Sequence, residues 1–460
     1  MIDLVFLAFI GFILVLGLRR PFLWVLAYAY IDILAPQKIG YGMIQSIPVS
    51  LIAFLAAFGG WLLMDYKKGA RFTFRQGLIL ALLVYCAWTT GHADFPEPAS
   101  TKWDWVWKAM VFAIFLPLTL TTRLRLEALG LVLVLSVGAI VISAGMKTAL
   151  GGGGYESLYF FVNDNSGLYE SSTLSTVAIA IIPLIAWFMR HGTVFTPDWR
   201  VKAFGAALIF ACLLIPVGTE ARTGLLCIAV LGVLLLRDVK RRLTFIAAGA
   251  ALGLVALPFL PQSYYERMAT IGSPSGDESA STRVAVWKWT LDYVAANPLG
   301  GGFDAYRGNK FTYDMAVKEV SGNTTSVEFK EVTDEARAYH SSFFEVLGEQ
   351  GWPGFIIWIW LQLLGIWHME KLRRRWKGRD GADQQWQAPL AIALQIASII
   401  YLVGATFQGI AYQPVMFMII GLQIGFHSYC RRIDSQVDAD ASFPVRPNRS
   451  RGATDAVAAG

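Results

Sequence analysis

The chain has 460 residues, of which 55% are apolar and only 16% charged, with a formal net charge of +6. A globular domain carries about 25% charged residues, so an ordinary soluble enzyme is excluded, as are a disordered chain and a disulfide-dense scaffold. What remains is a polytopic membrane protein whose charge is read by position rather than as a nucleic-acid signal.

Taken in order, the first apolar stretches are Leu4 to Leu18, Pro21 to Leu34, Ile47 to Met64, Gly77 to Trp88, Trp105 to Leu120, Ala128 to Met146 and Leu174 to Met189. Phe204 to Val217, Gly224 to Leu236, Leu243 to Leu260, Trp352 to Trp367, Ala388 to Phe407 and Val415 to Phe426 follow. A full span needs about 20 residues, so several borrow flanking residues. The expected fold is an all-α helical bundle of 12 or 13 transmembrane helices with one large, partly helical outer loop. Short loops rich in Lys and Arg stay cytoplasmic, and clusters such as Lys67/Lys68/Arg71/Arg75, Arg237/Lys240/Arg241/Arg242 and Lys371 to Arg379 fall after every second span. The N-terminus is outside with 13 spans and inside with 12.

The divisions expected are spans over 1–260, the large loop over 261–351, C-terminal spans over 352–430, and a disordered cytoplasmic tail over 431–460. The loop holds 8 Lys+Arg against 13 Asp+Glu, an acidic balance opposite basic short loops that puts it on the periplasmic or extracellular side. Val284, Trp287, Leu291 and Val294 recur at helical spacing, stopped by Asn297-Pro298 and Gly300-Gly301-Gly302. A second short helix starts near Ser342, where Ser342 and Glu345 have capping-box spacing, and ends at Gly348 or Gly351. A smaller outer loop runs from Lys147 to Glu170.

Cys86, Cys212, Cys227 and Cys430 sit in or beside apolar spans without metal-ligand spacing and read as packing residues. His191, His368 and His427 lie at cytoplasmic span ends, His92 in a short outer loop; His340 alone stands in the large loop. The helix N-terminus that follows His340 disfavours imidazolium, leaving a neutral ring able to take a proton; a polar residue anchoring the cap is the plainer reading. Arg222 lies in the turn Gly218 to Gly224, so short that it must meet the outer membrane edge. A cation there is costly unless partnered, by Glu220, by lipid phosphate or by a ligand. Arg283 and Arg337 are the other outer arginines of interest, Arg being the side chain that grips phosphate with two prongs.

The many-span topology, the Arg222 turn, Arg283-x-x-x-Trp287, Asn297-Pro298-x-Gly300-x-Gly302 and the His340-Ser341 step resemble the O-antigen ligase and polymerase superfamily. Arg19-Arg20-Pro21-Phe22 and Ala35-Pro36-Gln37-Lys38 resemble in particular the O-glycosylation ligases associated with exosortase systems. The resemblance implies a metal-independent, cofactor-free, inverting glycosyltransferase of the bacterial inner membrane, working on the periplasmic face. Its donor would be a glycan on undecaprenyl pyrophosphate, its acceptor a sugar hydroxyl of lipid A-core, and its surroundings membrane lipids. His340 matches the essential loop histidine and Arg222 the arginine of the short outer turn. Arg283 matches a pyrophosphate-binding loop arginine, and Arg337 joins them by proximity. A pyrophosphate is a good leaving group, so a base and bound arginines suffice without a general acid. A polymerase would transfer growing chain to a single repeat, a protein O-glycosylation ligase would use a different acceptor, and a flippase would need polar residues along a midplane path that the spans lack.

Overall fold

The computed structural model describes residues 2–40, 42–151, 167–256, 265, 278–321, 324–379, 381 and 384–442. Helix Pro414–Ser442 runs into the tail of 431–460 that is expected to be disordered; residues beyond 442 and most of the loop Lys147 to Glu170 lie outside the described residues. The apolar stretches fold as α1 (Ile2–Gly17), α2 (Phe22–Leu34), two single turns α3 (Pro36–Ile39) and α4 (Met43–Ser46), α5 (Val49–Leu63), α6 (Phe74–Thr90), α7 (Pro96–Thr119) and α8 (Arg123–Gly151). They continue as α9 (Ser171–His191), α10 (Trp199–Gly218), α11 (Arg222–Leu235) and α12 (Arg242–Ala256). After α13 (Glu278–Ala296) and a hairpin come α14 (Ser342–Trp376), α15 (Gln387–Ala405) and α16 (Pro414–Ser442). Among the described residues, Arg123–Leu150, Ser171–His191, Trp199–Gly218 and Gln387–Ala405 are long and apolar enough to cross a membrane by themselves. This is a membrane protein.

Burial decides the order of the layers. In α9 nearly every side chain from Thr173 to Ile185 is buried, the all-round apolar character of a central helix, and it packs on α10, α11 and α15. Its neighbour α10 buries few side chains and turns Phe204 and Phe210 outward. Cys86, Cys212, Cys227 and Cys430 are all buried and free.

The large loop departs from expectation in three ways. It contains an antiparallel hairpin, β1 (Lys310–Ser321) with β2 (Thr324–Glu335), in which Lys310 faces Glu335 and Ser321 faces Thr324. The residues support it: β-branched and aromatic positions alternate with polar ones, as in Phe311-Thr312-Tyr313 and Val327-Glu328-Phe329. In α13 the helix is as expected but its inner face is different. Thr282, Val286, Thr290 and Val294 are buried at i,i+4 spacing, while Val284 and Leu291 are exposed. Threonines are accepted inside because their hydroxyls bond back along the helix, Thr290 Oγ1 donating to the Val286 carbonyl at 2.8 Å.

The third departure concerns the expected capping box, which does not form. Ser341 is the N-cap and Ser342 the first helical residue. Ser342 Oγ instead donates to the Gln408 carbonyl at 2.8 Å and accepts from Ile410 N at 2.9 Å, and Glu345 accepts from Ala411 N. Both side chains therefore fasten the 407–413 turn to α14. The helix that starts at Ser342 does end at Gly351, as expected, and a second helix follows it directly. The chain kinks there, with Gly351 at φ 58°, and the second helix runs to Trp376.

Candidate active site

The kink at Gly351 is what the glycine run after α13 is for. Gly301 N donates to the Gly348 carbonyl at 3.1 Å, Gly302 N to the Glu349 carbonyl at 2.9 Å, and Trp352 N to the Pro298 carbonyl at 3.0 Å. Carbonyls freed by the break are thus capped by a second chain. The two backbones approach so closely that a Cβ on Gly300 would stand 2.4 Å from Gly351 N. The same loop brings Asp304 N onto Glu349 Oε1 at 2.9 Å, with Asp304 in the left-handed region at φ 59°.

Around this crossing sits a buried ion cluster that sequence reading missed. Lys102, near the start of α7, donates to Glu345 Oε1 at 2.7 Å and to Glu349 Oε1 at 2.8 Å, with Asp304 at 3.8 Å. The three bonded side chains are only 14%, 8% and 0% exposed. Burial lowers the affinity of Lys102 for its proton, but Glu345, Glu349 and Asp304 together outweigh that and hold the ammonium above the ordinary lysine range. Burial raises the Glu349 carboxyl, Lys102 opposes this, and Glu345 adds to it, leaving it well above the usual range. One clue was present in the sequence: Glu345 and Glu349 are four apart on a helix and share a face, where two like charges need a cation between them.

Lys102, Glu345 and Glu349 form one wall of a cavity of about 390 Å³ that also receives Glu170, Arg283 and His340. The Arg283-x-x-x-Trp287 spacing explains how α13 reaches it. Residues four apart lie on one helix face; Trp287 Nε1 donates to the Tyr339 carbonyl at 2.9 Å and its ring stacks on Phe344 with centroids 5.0 Å apart. Arg283, one turn earlier, is thereby carried to His340. His340 itself is left-handed at φ 47°, a conformation a histidine tolerates better than a branched residue. It turns the chain from the hairpin into the extended N-cap Ser341, and its ring faces the cavity. Although His340 is exposed, the groups crowded around it partly desolvate the ring and lower its pKa; Arg283 lowers it further, Glu170 pulls the other way, and Arg337 again lowers it. The lowering thus comes from desolvation first and from Arg283 second.

The other two arginines stand apart. Arg337 donates through Nε to Asp334 Oδ2 at 2.9 Å, and its backbone N–H is held by Asn309 Oδ1 at the same distance, so it closes the foot of the hairpin. Arg222 opens α11 beside α9, where the adjoining Thr219 hydroxyl meets Ser175 Oγ at 2.8 Å. It is not among the described residues that wall the His340 cavity. Arg283 and His340 share the cavity; Arg337 acts on His340 by its charge without lining the cavity, and Arg222 does not line it. His92 is exposed and its Nδ1 lies 2.9 Å from the Trp88 carbonyl.

A second chamber of about 490 Å³ opens on the other side of the Lys102–Glu345 wall, lined also by Glu97, Trp105, Asp304 and Arg307. The two chambers share Lys102, Glu345, Gly409, Ile410 and Gln413, so the ion cluster is a partition between neighbouring spaces.

Comparison with known proteins assigns these walls to two families. Residues 1–193 match a family of unknown function (DUF5935), which here contributes Lys102, Glu170, Ser172 and Thr173. Residues 204–359 match the family described as O-Antigen ligase, which contributes Arg283, His340, Glu345 and Glu349. No curated protein matches the chain. The match over residues 204–359, the stretch that carries Arg283, His340, Glu345 and Glu349, makes this membrane protein similar to the O-antigen ligase family and supports membership of that superfamily.

Proposed function

We propose that the chain is an O-antigen ligase type glycosyltransferase that moves a glycan from undecaprenyl pyrophosphate to a sugar hydroxyl of lipid A-core. The observation that carries this reading is one cavity lined by both Arg283 and His340, a histidine whose pKa is lowered. In the reaction His340 takes the proton of the acceptor hydroxyl as its oxygen attacks the anomeric carbon. The bond from that carbon to the pyrophosphate oxygen breaks, and the configuration inverts. Charge growing on the leaving pyrophosphate is met by the guanidinium of Arg283, in a site partly cleared of water where such contacts are strongest. Arg222 serves the lipid end of the same pyrophosphate, and Arg337 stiffens the loop that presents His340. The shorter apolar helices, among them Val49–Leu63, Phe74–Thr90 and Arg222–Leu235, cross the membrane with the long ones. They give 12 or 13 spans in the bacterial inner membrane, with the cavity facing the periplasm. No metal or cofactor takes part.

The test is glycan analysis of a deletion strain complemented with the chain or with His340→Gln. Loss of a ligase leaves full-length polymer on the lipid carrier beside bare acceptor, and the histidine variant should give the same picture at normal protein level. Single capped repeats on the acceptor would make the chain a polymerase, and donor stranded on the cytoplasmic face would make it a flippase.

A further inference from the structure

At the opposite end of the bundle from His340, the start of α6, the C-terminal part of α14 and the middle of α16 enclose another cavity, of about 540 Å³. It is a separate place. From Trp352, just past the kink, to His368 the helix climbs roughly 24 Å at 1.5 Å per residue. Arg71, Arg75, Arg431 and Arg432 line it together with His368 and His427, and no carboxylate does among the described residues. Acids near this end are engaged on other faces: Glu370 holds Arg373 and Arg374, and Asp434 holds Arg375 and Arg379.

Arg75 gives the cavity its direction. It is 2% exposed, and Nη2 donates to the Gln423 Oε1 at 3.0 Å and to the Leu361 carbonyl at 3.3 Å. Its Nε and Nη1 are buried and meet no acceptor among the described residues. A buried guanidinium with donors to spare is the half of a contact that a tetrahedral oxyanion completes. The imidazoles of His368 and His427 stack at 4.4 Å and 13°, an arrangement open to neutral rings. Burial lowers both pKa values, Arg75 and Lys371 adding to this for His368, and His368 and Arg431 for His427. Phe72, Phe74 and Trp367 form an aromatic rim, each more than half exposed. Basic pockets between membrane helices at this level commonly take anionic head groups.

We propose that this cavity binds a phosphate group, with Arg75 as its buried anchor, Arg71 and Arg431 closing over it, and the exposed aromatics receiving the hydrocarbon of a lipid that carries it. The same chemistry would admit a soluble phosphate. The full chain, purified in detergent and stripped of lipid, should be heated with short-chain phosphatidylglycerol, short-chain phosphatidylcholine, inorganic phosphate or pyrophosphate. Phosphatidylglycerol should raise the melting temperature saturably, and phosphatidylcholine should not, because its choline brings a cation into a cationic pocket. Arg71→Gln/Arg431→Gln, both at exposed positions, should raise the half-saturating concentration at least tenfold. Arg200→Gln/Lys202→Gln, outside the cavity, should leave it unchanged. Saturation by phosphate or pyrophosphate, with lipid adding nothing, would keep the site and assign it to a soluble ligand. An equal response of the wild type and of Arg71→Gln/Arg431→Gln, or equal stabilisation by phosphatidylcholine, would overturn the proposal.

Discussion

Replacing Lys102 by methionine removes a charge but little volume and leaves Glu345 and Glu349 facing each other, 8% and 0% exposed. Breaking a buried ion pair costs about 3 to 5 kcal/mol. The protein can escape part of that by protonating Glu349, whose ordinary value is 4.5. At pH 7.5 this costs at most about 4 kcal/mol, three units at 1.36 kcal/mol each, and at pH 5.5 about 1.4 kcal/mol. The sign follows from linkage: a carboxyl whose folded pKa lies above its unfolded value binds more protons when folded, so stability is lost as pH rises between the two. Lys102→Met should therefore lose at most about 4 kcal/mol at pH 7.5 and recover part of it on acidification. Lys102→Met/Glu349→Gln should regain most of the loss at pH 7.5 and show a flatter pH dependence. The measurement is equilibrium unfolding in mixed micelles across that pH range. A loss in Lys102→Met that is independent of pH, or unaffected by Glu349→Gln, would refute the idea that uncompensated charge is its cause.

His340→Gln should reduce transfer by about 10²- to 10⁴-fold without shifting the unfolding midpoint; a rate within a few-fold of wild type removes the histidine from the chemistry. Because the pKa of His340 is lowered below its ordinary 6.5, wild-type rates should stay level as pH falls to about 6.5 and decline only below it. Arg283→Gln takes away one cause of that lowering, so its remaining activity should fall off at higher pH than the wild type, while Arg283→Lys should keep the profile and lose rate; identical acid limbs in Arg283→Gln and wild type would contradict this coupling. Gly351→Ala puts a Cβ 2.3 Å from the Pro298 carbonyl in a left-handed position, whereas Gly378→Ala is left-handed with nothing within 4 Å. The second should cost about 1 kcal/mol of strain and the first clearly more, read as unfolding midpoints, with transfer lost only in the first.

The apolar stretches were legible because lipid demands them: the described part of each falls almost wholly in a helix, and α13 and the start of α14 lie where spacing and glycines put them. The inner face of α13 was not legible, because Val284 and Leu291 look better suited to burial than Thr282 and Thr290, and only the neighbouring α14 decides which side is covered. The hairpin was overlooked because charges interrupt its alternation. Of the site, His340 and Arg283 could be named from the sequence, one as the lone loop histidine and the other by its spacing to Trp287. Lys102 could not, since its partners Glu345 and Glu349 stand more than two hundred residues away. Nor could Ser342 and Glu345 be distinguished from a helix cap, because the turn at 407–413 competes for the same atoms.

The partition between the two chambers has a consequence for how relatives of this chain diverge. Its lysine comes from the stretch of unknown function and its carboxylates from the stretch that matches the ligase family, so neither stretch completes the ion cluster by itself. The N-terminal 193 residues are then no exchangeable membrane anchor. Grafting them from a relative would import a new half of the wall, and such a hybrid inherits either a matched set of charges or an unpaired one. Under the function proposed above, diversification of what the cavity accepts is tied to paired changes on both sides of the junction, and a lineage that shuffles these stretches as modules should show lysine and glutamates gained or lost together.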